Sequence, residues 1–240
     1  MSTIIRPAQA RGYADHDWLK SYHSFSFAHY HDHAHMGFGP LRVINEDRVN
    51  PGAGFATHGH SDMEILSYVI EGALEHKDSL GTGSVIRPGD VQIMSAGTGI
   101  RHSEFNHSKV DPVHFLQIWI IPERQNITPR YDQMHFPQID KQGRLCLIAS
   151  QSAREGSVLI HQNVDIFASV LSAGEGVQHP LASGRKAWVQ IVQGAAHING
   201  LAGAAGDGFA IEDETAVTIA ATMINTEIVL FDLPSTHNNG

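Results

Sequence analysis

The chain has 240 residues, 42% of them hydrophobic and 17% charged, enough apolar material for one large β domain or two small ones. A formal charge of −9 argues against a surface made for a phosphate backbone, so direct nucleic-acid binding is not expected. Cys146 stands alone, which excludes an internal disulfide and favours a reducing cytoplasm. The most apolar run, 113–121, falls far short of the ~20 residues that span a bilayer, and the opening residues do not read as a basic-apolar leader. Twenty-three glycines and 10 prolines predict many tight turns, as an all-β protein needs. Seventeen histidines are the compositional outlier and point to metal chemistry without locating it.

In chain order, 22–27 alternates polar and aromatic residues and reads as a strand. Histidines then recur at alternate positions from His29 to His35. On a strand they would share one face, but Gly37-Phe38-Gly39-Pro40 follows, so the run reads as a solvated loop that scavenges metals nonspecifically, outside any site. Residues 41–49 form a strand, 51–54 a turn, and 55–72 two strands; 73–78 returns and 79–83 turns again. Residues 91–94 lead into the Gly97-Thr98-Gly99 turn, 113–121 is a mostly buried strand, and 122–136 reads as a connection between halves.

Two short phrases carry the chemistry: His58-Gly59-His60 and His102-Ser103-Glu104. Positions i and i+2 of a strand point to the same side. Two such pairs on neighbouring strands would aim three imidazoles and one carboxylate at one point, a ligand set for a divalent transition metal. One His-x-His pair alone is weak evidence. Two pairs, framed by glycines and by Pro88-Gly89-Asp90, are strong.

The second half repeats the first weakly. Residues 188–194 align with 66–72, Ala205-Gly206-Asp207 echoes Pro88-Gly89-Asp90, and 228–234 echoes 118–122. Counting back from Gly194 puts Pro180 and Ala182 at the ligand positions, with Lys186 in place of Glu64. The second half is therefore expected to hold no metal, and His161, His179 and His197 read as ordinary strand or loop histidines. Residues 235–240 read as a polar tail.

The spacing Gly52-x5-His58-x-His60 with Gly72 resembles the first cupin motif, and Pro88-Gly89-Asp90 with Gly99-x2-His102-x3-Asn106 resembles the second. Many cupins place a ligand carboxylate near Glu64, but here seven residues, not six, separate it from Gly72. The phrase Ser95-Ala96-Gly97-Thr98-Gly99-Ile100-Arg101-His102-Ser103-Glu104 instead resembles the pirin family, a bicupin branch whose carboxylate ligand follows the third histidine. Arg11-Gly12, Trp18-Leu19 and 23–27 resemble the pirin amino terminus.

The resemblance implies an all-β fold of two tandem cupin barrels: a metal-binding barrel over 1–130 and a metal-free barrel over 131–234. It implies His58, His60, His102 and Glu104 as ligands to one divalent transition metal per chain. Fe(II) is the first choice, ahead of Ni(II), Co(II), Cu(II), Mn(II) and Zn(II). It implies quercetin 2,3-dioxygenase activity on a flavonol and O₂, with carbon monoxide released and Glu104 as the base. The alternative it carries is a metal- or redox-dependent regulator that binds a partner protein. Glu64 is left outside the ligand set, either orienting a ligand imidazole or exposed on its strand. Met63, Met94, Phe105, Phe115 and Ile118 are candidates to line an apolar pocket, though each taken alone reads as barrel core.

Overall fold

The computed structural model describes residues 2–235, so all but the first residue of the expected polar tail lies outside them. The chain folds into two β-barrels, each a seven-stranded sheet facing a four-stranded one. In the first barrel the large sheet runs, in spatial order, Arg130–His135, Asp90–Ser95, Glu64–Glu71, Val113–Ile120, Leu41–Val49, Leu19–His23 and Gly12–Asp15. Its small sheet is Gly54–His60, Ile100–Asn106, Leu74–Asp78 and Gly83–Ile86. The second barrel repeats this plan, with Arg185–Gln193 and Thr226–Pro234 at the centre of its large sheet. The expected tandem of two barrels is what the chain builds. No described helix is long and apolar enough to cross a membrane.

The barrels meet back to back across their large sheets. Along Glu64–Glu71, Leu66, Tyr68 and Ile70 face the second barrel and pack in one cluster with Trp188, Val229 and Phe231. Ile65 and Val69 face the other way and join clusters inside the first barrel. With both faces covered, the strand is buried at seven of its eight positions and shows no in–out alternation of hydrophobicity.

The boundary between halves differs from the expected 130/131 at both ends. Ser2–Arg6 is the edge strand of the second barrel, pairing antiparallel with Gly208–Glu212, so residue 4 lies opposite residue 210. Arg130–His135, expected as part of a connection, is the edge strand of the first barrel and pairs with Asp90–Ser95. An edge strand can be polar, and this one (RYDQMH) lacks the apolar face that makes strands legible. The strand expected over 22–27 also ends at His23, not Phe27, because the chain bends at Ser24. The amino-terminal segment thus straps the barrels together. The Ala8 amide donates to Asp207 Oδ1 (2.7 Å), the Arg6 guanidinium to the Tyr30 hydroxyl (2.7 Å), and the Arg11 guanidinium to Glu46 Oε2 (2.8 Å).

Candidate metal centre

The centre is built on three adjacent strands of the first barrel's small sheet. Ile100–Asn106 lies between Gly54–His60 and Leu74–Asp78, with His102 opposite His58 on one side and Asp78 on the other. Between His102 and Glu104 the register shifts, so the Gly54–His60 strand carries an extra residue there. Such bulges re-aim side chains beside functional sites.

The three histidines come together. One ring nitrogen from each of His58, His60 and His102 lies within 4.8 Å of the others. His58 Nδ1 is 2.8 Å from the Ala56 carbonyl oxygen, which can only accept. That bond places the ring proton on Nδ1 and leaves a bare Nε2, which is 3.1 Å from His102 Nε2. Burial, followed by its neighbours His58, His60 and His76, pushes the His102 pKa down to about 2. Burial and His58 push that of His60 down to about 4. Both rings are therefore neutral at neutral pH, the form that ligates metal.

Glu104 falls in a second, overlapping group that shares His102. Its oxygens gather within 4.8 Å of ring nitrogens of His102 and His76, whereas His58 and His60 belong to the other group. The Gln117 side-chain amide donates to its Oε2 (2.9 Å), and the Ser67 hydroxyl lies 3.2 Å from its Oε1. Burial raises its pKa, against the pull of His76, Gln117 and His58. His76 was not singled out from the sequence. Its signal was present, because His76-x-Asp78 is a third i, i+2 pair of ligand-type residues, on the strand next to Ile100–Asn106.

Three imidazoles with a carboxylate beside them fit a divalent transition metal with positions left for substrate. The histidine run 29–35 forms no such group among the described residues, and neither does the second barrel. There Pro180 ends a strand, the Lys186 ammonium pairs with Glu212 (3.3 Å), and His179 is held by Asp232 (2.8 Å).

A cavity of about 890 Å³ opens onto the centre, with His58, His60 and Glu104 in its wall. Trp18, Phe27, Phe55 and Trp119 give it aromatic sides, and Asn45, Asp47 and Gln117 give it a polar strip. Burial raises the Asp47 pKa to about 7, opposed by a hydrogen bond from the Ser21 hydroxyl and reinforced by the charge of Glu104. The expected pocket residues are elsewhere: Met94, Phe115 and Ile118 are core, Met63 packs beside the core, and Phe105 is surface-exposed. Half of the cavity wall comes instead from 13–30, which spacing around the ligands cannot reveal.

Glu64 is neither exposed nor bonded to a ligand imidazole, so both alternatives for it are overturned. It is fully buried at the junction of the barrels, where its Oε2 accepts from the Ser95 hydroxyl and the His161 backbone amide (both 3.0 Å). It faces there because the next residue, Ile65, points into the first barrel.

Fold and site together define a bicupin with a candidate metal centre in its first barrel, and comparison with known proteins gives its family. The pirin profile matches residues 5–120, and that of the quercetinase C-terminal cupin domain matches 147–233. Quercetin 2,3-dioxygenase of Escherichia coli K12 is 49% identical over 96% of this chain and 98% of its own length. A putative quercetin 2,3-dioxygenase of Pseudomonas aeruginosa is 40% identical over 95% and 98%. The crystal structure of YhhW from Escherichia coli superposes with a TM-score of 0.94 at 47% identity, covering 99% of this chain and all of that one. The structure of bacterial pirin YhhW in complex with nickel(II) gives 0.92 at 48% identity, covering 97% and 99%. The chain belongs to the pirin family.

Proposed function

We propose that this protein is a metal-dependent dioxygenase that opens the heterocycle of a flavonol such as quercetin with O₂ and releases carbon monoxide. The observation that carries the proposal is the opening of a three-imidazole centre onto a large aromatic-walled cavity. The relatives' names and the nickel in a 48% identical structure support it.

His58, His60 and His102 would hold one divalent metal, with Glu104 as the neighbouring carboxylate; Fe(II) remains the first choice. When bound, the metal supplies Lewis acidity towards a substrate hydroxyl and an electron path to O₂. The chain's own residues do the rest. Trp18, Phe27, Phe55 and Trp119 bind flat rings through apolar and stacking contact. Asn45 and Asp47 offer hydrogen-bond partners to ring hydroxyls on the polar side. Glu104 takes the proton of the flavonol 3-hydroxyl. Its raised proton affinity suits a base, and Gln117 and Ser67 hold its oxygens in place.

The test is a substrate pair under O₂ with metal-loaded protein. Quercetin should be consumed over many turnovers per metal, and a flavone lacking the 3-hydroxyl should not react. Equal consumption of both would remove the role given to the 3-hydroxyl, and consumption limited to one equivalent would mark a binding protein.

A further inference from the structure

We propose that Asp78 and His76 form a buried relay that fixes the ring tautomer of His102, so that His76 is a positioning residue for this ligand. The inference rests on His102 being a metal ligand and is independent of what the substrate is.

His76 and Asp78 share the inward face of Leu74–Asp78, and both side chains are wholly buried. Asp78 Oδ1 accepts the backbone amides of Leu80 (2.9 Å) and Thr82 (3.0 Å), which fixes the carboxylate. Its Oδ2 lies 3.1 Å from His76 Nε2. A carboxylate accepts, so the His76 proton sits on Nε2 and His76 Nδ1 is bare. That bare nitrogen faces His102 Nδ1 at 3.5 Å, the outer limit of hydrogen bonding. It can only accept, so it favours a proton on His102 Nδ1. His102 Nε2 is then bare and aimed at His58 Nε2, 3.1 Å away. Tyr131 packs on the His76 ring, centroids 4.9 Å apart, and holds it in place. A metal-ligating histidine usually gives its second ring proton to a carboxylate or carbonyl. Here the carboxylate is one imidazole further back.

His76, His102 and Glu104 also converge within 4.8 Å, the outline of a second metal position. Occupying it together with the first would require His102 to lose both ring protons and bridge two cations. Glu104 would also have to ligate through oxygens already engaged by Gln117 and Ser67. The relay needs neither.

The test measures Ni(II) affinity by chelator competition for the wild type, His76→Leu and His76→Gln, with His58→Ala/His102→Ala as control. Leucine removes the acceptor; glutamine restores an acceptor oxygen towards His102 and a donor towards Asp78. The dissociation constant should rise ~10–100-fold in His76→Leu and return to within a few-fold of wild type in His76→Gln. ¹⁵N-histidine NMR of the zinc-loaded wild type should show His76 protonated on Nε2 only, a readout that needs no variant to fold. His76→Leu binding as tightly as wild type, or His76→Gln no better than His76→Leu, overturns the relay. So does an Nδ1-protonated His76, or two Ni(II) per wild-type chain with one lost in His76→Leu. Tight binding by the double-alanine control would instead overturn the ligand assignment beneath it.

Discussion

His58 Nε2 and His102 Nε2 face each other at 3.1 Å, and the Ala56 carbonyl holds the His58 proton on the far side of its ring. In the neutral form that ligates metal, each ring turns a bare nitrogen towards the other. A cation between them is ligated by both, so the pair is set to hold a metal.

Metal removal should therefore lower stability. At a free metal concentration 100 times the dissociation constant, binding adds about 2.7 kcal/mol to the folded state. Calorimetry of loaded and stripped protein should show the difference in Tm, and metal analysis should find one tightly held ion per chain. His58→Ala with His102→Ala should abolish both. A double variant that kept the ion would place the centre elsewhere.

The two buried glutamates should separate cleanly. Glu104→Gln removes the proposed base and should cut turnover by ~10²–10⁴-fold, with weaker metal binding. Glu64→Gln lies at the barrel junction and should keep its metal, costing only about 1–2 kcal/mol of stability. Metal loss in Glu64→Gln with retention in Glu104→Gln would reverse the assignment.

Much of this site was legible before the fold was known. The pairs 58/60 and 102/104 are visible because a strand's two-residue period puts both members on one side. What spacing could not show was which strand lies on the other side of 100–106. Glu104 lies opposite His76 in an unbroken pairing with Leu74–Asp78, which the spacing of 102 and 104 does not reveal. Local pattern was equally silent about partners distant in sequence. Ser2–Arg6 crosses to the second barrel, and 13–30 folds over the cavity, because of pairings that span most of the chain. Glu64 was unreadable because its strand is covered on both sides.

Acid stability should report on Glu46, which binds Arg11 (2.8 Å) and His114 (2.9 Å). Burial pushes its pKa up, but His114 and Arg11 together overcome this and hold it at about 2, below its ordinary 4.5. A folded-state pKa below the unfolded one stabilises above pH 4.5, and that stabilisation is lost as pH falls towards 2. The loss is on the order of 3 kcal/mol. Urea titrations at pH 6 and pH 2.5 should show a smaller loss in Glu46→Gln than in wild type; equal losses would mean other groups dominate.

The barrels should unfold as one unit, because one apolar cluster draws on both. At its edge Lys141 donates to Glu227 (3.2 Å) and to the Tyr68 hydroxyl (3.1 Å), linking the Glu64–Glu71 strand to Thr226–Pro234. Lys141→Met leaves the part-buried Glu227 carboxylate with only the Tyr68 hydroxyl as partner and should cost about 1–3 kcal/mol. A single urea transition with a lower midpoint is expected. Two separated transitions in the wild type would show that the barrels are independent.

The most direct test of the proposed activity is headspace gas. Protein loaded in turn with Fe(II), Ni(II), Co(II) or Cu(II) is incubated with quercetin under O₂, beside matched metal-free protein. One carbon monoxide should appear per quercetin consumed with at least one of these metals, and none without metal. Consumption of quercetin without carbon monoxide, or none with any of the metals, would contradict the assignment.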